Sequence, residues 1–351
     1  MMPKMILKII LVLLAAVVFC FIVFLSVGLI TDFRPEDRQE AELLYSGGSR
    51  SPLPDSLKIM SWNIGYGGLG DNMDFFYDGG KKVRDSKERT MENLLSAIET
   101  IRSENPDIVL LQEVDRNSKR TYGIDETALL AEAFPEYSLY FAYNYKSFYV
   151  PIPLKEPVGR VGSGLLVMTR YEPDEAIRYQ YPSGFPFPVS MFNLKRCLLT
   201  LRFTLADGTQ LVVGNTHNTA YDTGGMRSEE TAFLAGLLSE YAGKGYKTVI
   251  GGDWNQYPAA YVPSPAETTD GHFSTIRLEE EKLSPYGRIG YAGNDCKTLR
   301  HLDRVLDENS VLTVTDYFFL SDSLDSSEVR MLPLDFRNSD HNPVVIGIRI
   351  Q

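Results

Sequence analysis

Three apolar runs in this chain end on a small polar cluster, and a fourth begins on one. The first three close with Trp62-Asn63, with Gln112-Glu113 and with Gly252-Asp253-Trp254-Asn255. The last opens from Asn338-Ser339-Asp340-His341-Asn342-Pro343 into Val344-Val345-Ile346. Ile108-Val109-Leu110-Leu111 and Thr248-Val249-Ile250 are apolar at every position but one, a pattern strands show when both faces are covered. The chain must therefore build sheets with packed layers on either side. Its polar groups are then left to gather at strand mouths.

The remaining pattern fits that demand. Leu57 to Trp62, Ser163 to Thr169, Cys197 to Leu205, Gln210 to Gly214, Tyr317 to Leu320 and Val344 to Ile350 read as further strands. Asp207-Gly208 supplies a hairpin turn. Ser86 to Asn105 carries Met91, Leu94, Leu95, Ile98 and Ile101 at helical spacing, and Pro106 stops it. Arg227 to Tyr241 is a second amphipathic helix. Hairpins mixed with strand–helix–strand units predict mixed sheets with outer helices.

A different segment precedes this domain. Ile9 to Ile30 is a run of 22 residues with no charge and no proline. A helix of that length is about 33 Å, enough for a hydrocarbon core of ~30 Å. Lys4 and Lys8 precede it, which favours a cytoplasmic N-terminus and an exported remainder. The run is long for a cleaved signal and no Ala-x-Ala site follows, so residues 1–31 are read as a single-pass signal anchor. Residues 32–56, with Gly47-Gly48-Ser49-Arg50-Ser51-Pro52, read as a linker. Residues 57–351 form one domain.

The formal net charge is −11; without the two lysines of the first 30 residues the exported part carries 33 − 46 = −13. That disfavours broad electrostatic adhesion to nucleic acid or anionic lipid. A small basic patch can still serve a nuclease, and Lys119-Arg120 and Arg300 with Arg304 are candidates, weighed against solvated surface charge. Cys197 and Cys296 lie 99 residues apart, which gives no pairing evidence.

Glu113 follows a buried-strand pattern, where a carboxylate is a poor core residue and a good ligand for a hard cation. Asp253 and Asn255 sit two apart, so in an extended segment both face one pocket. Asp340 beside His341 can act as one unit, the carboxylate fixing the ring. A lone histidine is usually structural, and His272 and His301 are read that way. Arg196 opens a strand and either reaches a phosphate or forms a surface ion pair. The aromatic stretches Tyr137 to Tyr149 and Tyr181 to Pro188 either grip a ligand or pack as loops.

Six stretches in order carry a family resemblance. They are Ile59-Met60-Ser61-Trp62-Asn63, Leu110-Leu111-Gln112-Glu113-Val114 and Gly214-Asn215-Thr216-His217-Asn218. Gly251-Gly252-Asp253-Trp254-Asn255, Thr315-Asp316-Tyr317-Phe318-Phe319 and Ser339-Asp340-His341 complete the set. The chain resembles the endonuclease/exonuclease/phosphatase superfamily, which includes DNase I-like nucleases, neutral sphingomyelinases and inositol polyphosphate 5-phosphatases. The resemblance implies an α/β fold, a four-layer sandwich of two packed mixed sheets flanked by helices. It implies a phosphoester hydrolase using Mg²⁺, with Mn²⁺ as an alternative.

The resemblance also implies roles. Glu113 is the main metal ligand, with Asn63 beside it at the metal or a phosphate oxygen, and Asp340 is a metal-side carboxylate. Asp253 orients or activates the attacking water, and Asn255 steadies it. His341 contacts the scissile phosphate and Asp316 orients it. His217 stabilises the phosphoryl transition state or protonates the leaving group, and Asn218 adds a donor. Together these describe a membrane-anchored, extracytoplasmic phosphodiesterase. A secreted or surface nuclease and a catalytically inactive scaffold are the alternatives. The phosphoester is a lipid head group, a small molecule or a nucleic acid, and no protein partner is implied.

Overall fold

The computed structural model describes residues 4–222, 225–269 and 276–350. The reading of His272 falls outside them. Helix α1 (Lys4–Thr31) comes first, long and apolar enough to cross a membrane. Then follow β1 (Arg38–Glu40), β2 (Glu42–Tyr45), β3 (Ser56–Asn63), α2 (Lys87–Glu104), β4 (Ile108–Asp115), α3 (Glu126–Ala133), β5 (Ser138–Val150) and β6 (Gly159–Thr169). Next come β7 (Glu175–Gln180), β8 (Cys197–Thr204), β9 (Gln210–His217), α4 (Met226–Gly243) and β10 (Lys247–Asp253). Two later strands complete the framework, Asp316–Ser321 and Val344–Arg349.

These strands form two large mixed sheets. One runs β1-β7-β8-β9-β10, then Asp316–Ser321 and Gly287–Gly290. The other runs from Asp325–Ser326 through Val344–Arg349 to β3-β4-β6-β5-β2. Each has a single parallel pair at its centre, β9 with β10 and β3 with β4, and each pair is joined through one helix, α4 or α2. Strand alternation sorts the side chains into layers. Along β4, Ile108 and Leu110 face the other sheet, while Val109 and Leu111 face α2 and α3. Along β9, Leu211 and Val213 face inward and Val212 packs toward Leu234 and Leu238 of α4. The expected four layers result: helices, sheet, sheet, helix.

Local chemistry ends α2 where the sequence predicts. The Ser86 hydroxyl caps the first turn by accepting from Arg89 N at 3.1 Å. Asn105 closes the helix in the left-handed region, just before Pro106.

The segment 32–56 departs from the linker expectation. β1 pairs with β7 and β2 pairs with β5, so this segment adds an edge strand to each sheet. Open sheet edges offer unpaired backbone groups, and strands of three and four residues can meet them while being too short for a period that a sequence reading would catch. The aromatic stretch Tyr137 to Tyr149 is likewise not a loop but most of β5, hairpinned onto β6. Cys197 and Cys296 are both free thiols.

Candidate active site

The C-terminal ends of the two parallel pairs point the same way and meet. Register brings Asn63 beside Gln112 in one sheet. It brings His217, Asp253 and Asp316 into one row across three strands of the other. Two backbone irregularities aim the side chains. Glu113 stands at a bulge between β4 and β6 with φ +54°, which turns its carboxylate out of the ladder. Gly252 has φ +154° with Thr216 O only 2.0 Å from where a Cβ would stand, so no other residue fits.

A single amide ties the cluster together. Asn63 Nδ2 lies 3.1 Å from Asp253 Oδ2, 3.3 Å from Glu113 Oε1 and 3.3 Å from His341 Nε2. Its Oδ1 accepts from Gly65 N at 3.0 Å. Direct contact of Asn63 with a cation, as the resemblance implies, would need this amide turned. Asn255 donates to Asp253 through its backbone at 3.0 Å and through Nδ2 at 3.3 Å, and also to Asn218 O at 2.9 Å. His217 Nε2 is 3.4 Å from Asp253 Oδ2 and 4.0 Å from Glu113 Oε1. His341 Nε2 is 3.6 Å from Asp253 Oδ2 and 4.0 Å from Asp340 Oδ2.

These groups open onto a cavity of about 460 Å³. Glu113, His217, Asp253, Asn255, Asp340 and His341 line it, and so does Arg196. Asn63, Asn218 and Asp316 stand one layer behind. Asp316 accepts from, or shares a proton with, His341 Nδ1 at 2.8 Å. Asn218 accepts from the Thr216 hydroxyl, and its Nδ2 is buried without a partner among the described residues. Of the basic pairs, only Arg120 and Arg300 reach the cavity wall; Lys119 and Arg304 do not. Neither wall arginine is a solvated surface charge: Arg120 is held bidentate by Asp115 at 2.8 and 2.9 Å, and Arg300 by main-chain carbonyls such as Gly70 O. His301 also lines the cavity.

The electrostatics split the two histidines. Burial, with Arg196 next, pushes His217 well below the usual histidine value, which favours the neutral ring. Burial also opposes charge on His341, but Asp316, Asp253 and Asp340 outweigh it and hold the ring well above that value. Burial raises Asp253, with the charge of His341 opposing. Burial and then the Glu113 charge raise Asp340 to about 7 against the pull of His341 and Arg300. Arg196 is buried, its Nη1 has no partner among the described residues, and burial lowers its pKa.

A divalent cation fits this donor set. Glu113 and Asp340 are oxygen donors lining the same cavity, and the Glu113 carboxylate disfavours charge on Asp340. Asp253, Asp316 and His341 also bring ligand atoms within 4.8 Å of one another. That group is a less open site, because Asp316 is fully buried and spent on His341 Nδ1.

Tyr145 lies in the aromatic stretch Tyr137 to Tyr149, a candidate ligand grip, and several other wall residues escape the sequence reading: Tyr66, Asp78, Leu194 and Tyr221. One signal was available for Tyr66. It sits in Gly65-Tyr66-Gly67-Gly68, two residues past Asn63, and Tyr66 itself takes φ +43°. A glycine cluster at a strand mouth marks a forced turn over a site. The others come from distant loops.

Comparison with known proteins agrees with this architecture. The sequence profile of the Endonuclease/Exonuclease/phosphatase family matches residues 60–341. No protein of curated function matches the chain in sequence. Among solved structures, the endonuclease/exonuclease/phosphatase from Beutenbergia cavernae DSM 12333 superposes with a TM-score of 0.54 at 20% identity, covering 85% of this chain and 72% of that one. The endonuclease/exonuclease/phosphatase family protein from Leptotrichia buccalis C-1013-b gives 0.54 at 16% identity, covering 84% and 100%. D. rerio TDP2 complexed with single strand DNA product gives 0.50 at 14% identity, covering 85% and 100%.

Proposed function

The chain belongs to the endonuclease/exonuclease/phosphatase family, whose members are generally divalent-metal-dependent hydrolases of phosphoester bonds, and from that premise we propose that it is an active phosphodiesterase fixed to the outer face of a membrane by α1. The observation that carries the reading is the Asn63 amide, which is within 3.3 Å of Glu113, Asp253 and His341 together. An inactive scaffold has no need to hold a carboxylate ligand, a base and an imidazolium in one buried contact.

Glu113 and Asp340 would hold Mg²⁺ or Mn²⁺, with Asn63 steadying Glu113. When bound, the cation supplies Lewis-acid stabilisation of charge on a phosphoryl oxygen. The chain's own groups do the rest. Asp253, kept in place by both donors of Asn255, takes a proton from the attacking water. The His341 imidazolium, oriented by Asp316, donates to a non-bridging phosphate oxygen. His217 is neutral and stands on the far side of Asp253, where it can steady the phosphoryl group as charge develops. Arg196 adds a guanidinium whose Nη1 has no partner among the described residues.

A nuclease reading has support in the D. rerio TDP2 complex with its single-stranded product. The charge of the exported part, 33 − 46 = −13, weighs against it. The deciding experiment assays the full chain in detergent micelles against bis-p-nitrophenyl phosphate, p-nitrophenyl phosphate and single-stranded DNA, with Mg²⁺ or with EDTA. Diester hydrolysis lost in EDTA is expected; no hydrolysis of any of the three overturns the reading. Topology is tested separately. Protease added to intact spheroplasts of an expressing bacterium should digest the domain and spare a cytoplasmic control, and protection would reverse the orientation.

A further inference from the structure

The end of α1 does not project freely from the domain. The Phe24 ring stacks on Phe192 at 5.1 Å and lies 6.0 Å from Phe148 of β5. Gly28 is buried, and a Cβ there would meet the Phe192 ring at 2.8 Å. Past the helix, Asp32 pairs with Lys195 at 3.5 Å. The domain therefore grips the last two turns of α1 through two segments, the β5–β6 hairpin and the stretch from Phe185 to Lys195.

Depth follows from helix geometry. The uncharged run ends at Ile30, and Phe24 lies six residues before it, or about 9 Å along the axis. If α1 spans a bilayer, Phe24 is inside the hydrocarbon edge. Phe148 and Phe192, which touch it, must then be at that depth too.

Both gripping segments carry the surface chemistry this requires. Leu154 is 89% exposed and Ile152 40% on the hairpin tip; Phe187 is 69% exposed and Val189 47% on the other segment. Among the described residues outside α1, Leu154 and Phe187 are two of the three most exposed large apolar side chains. Interfacial elements commonly bury their apolar face ~5–10 Å into the headgroup and acyl boundary. The same two segments also wall the cavity. Tyr145 and Val158 come from the hairpin, Phe185 and Leu194 from the other with Arg196 directly after it, and Tyr145 Oη donates to Phe192 O at 3.1 Å.

We propose that the β5–β6 hairpin tip and the Phe185–Val189 loop insert into the same leaflet as the end of α1, so that the cavity opens at the lipid interface and takes phospholipid phosphoesters directly from the bilayer. This rests on the reading of α1 as a membrane span and of the cavity as a phosphoesterase site. The apolar wall from Val158, Phe185 and Leu194 would keep the acyl side of the substrate at the leaflet. Arg196 and His217 would meet its phosphate. Attachment is apolar rather than electrostatic, consistent with the acidic domain.

The test uses the full chain reconstituted in vesicles of 3:1 phosphatidylcholine and phosphatidylglycerol. Trp62 and Trp254 are both buried, so a tryptophan added at the surface dominates quenching by lipids brominated on the acyl chain. Leu154→Trp and Phe187→Trp should be quenched, and Leu95→Trp on α2 should not. Equal quenching at all three positions, or none at 154 and 187, overturns the inserted surface. The double variant Leu154→Asp/Phe187→Asp should lose tenfold or more of phospholipid hydrolysis while bis-p-nitrophenyl phosphate turnover stays within twofold. Wild-type protein that cleaves the soluble diester but no vesicle phospholipid overturns the lipid substrate. Loss of both activities in wild type instead overturns the phosphoesterase reading, and extraction of the chain by carbonate overturns the membrane span.

Discussion

Asp316 Oδ2 sits 2.8 Å from His341 Nδ1, on a carboxylate with no solvent exposure, and this fixes which ring nitrogen faces the cavity. The other nitrogen, Nε2, is thereby held toward Asn63 and Asp253. The arrangement keeps the ring charged at neutral pH, since three carboxylates act on it.

Removing that charge should move a pH profile. Asp316 is the strongest influence raising His341, so Asp316→Asn lowers the ring's pKa. If turnover needs the imidazolium, the alkaline limb of kcat against pH shifts to lower pH. At neutral pH kcat should fall ~10²–10⁴-fold. A uniform loss with an unmoved limb would assign Asp316 a packing role only.

Cation binding should show in stability as well as in activity. Asp340 is raised from 3.8 to about 7, so in EDTA the folded state favours its protonated form. The associated stability is present at low pH and is lost as pH rises from about 4 toward 7. Asp340→Asn should therefore raise Tm in EDTA at pH 7 and leave it nearly unchanged at pH 4. Mg²⁺ should raise the Tm of wild type at pH 7 and do little for this variant. Glu113→Gln should also abolish the Mg²⁺-induced rise and cut turnover by roughly 10²-fold or more.

Asp253, His217 and His341 should behave as one unit. Asp253→Asn, His217→Ala and His341→Ala are each expected to lower kcat ~10²–10⁴-fold, and pairs should be less than additive. Burial raises Asp253, so its neutral replacement should hold or increase thermal stability in EDTA. Near-normal turnover with a large drop in Tm would make these residues structural.

Truncation separates α1 from the fold. Removing residues 1–31 deletes α1 alone, whereas removing 1–46 also deletes β1 and β2, one edge strand from each sheet. The longer deletion should lower Tm by several degrees more than the shorter one in a thermal melt. Equal midpoints would mean that these strands add nothing to the sheets.

Much of this was legible because strand periodicity and polar strand ends are local signals. The run Ile108 to Leu111 announces a strand covered on both faces, and Ser86 and Pro106 bracket α2. Glu113, Asp253 and His341 could be found because each interrupts an apolar pattern. The linker reading of 32–56 failed for a physical reason. Arg38–Glu40 and Glu42–Tyr45 are three and four residues long, too short to show a strand period, and pair at the sheet edges. Arg120 and Arg300 could be flagged as basic but not as buried, because their partners Asp115 and Gly70 O are set by tertiary folding. Asp78 and Tyr221 reach the cavity from segments far apart in sequence, and no local pattern distinguishes them.

The stretch from Asp32 to Tyr45 stitches both sheets to the end of α1, and its mechanical consequence is a fixed standoff. A flexible tether would let a domain sweep a hemisphere around its anchor and sample targets at many heights. Here α1 is packed on the domain through Phe24 and Phe192, and β1 and β2 are paired into the two sheets that carry the cavity. On the proposed reading of α1 as a membrane span, the search for substrate is confined to a plane, its rate set by lateral diffusion rather than by tether length.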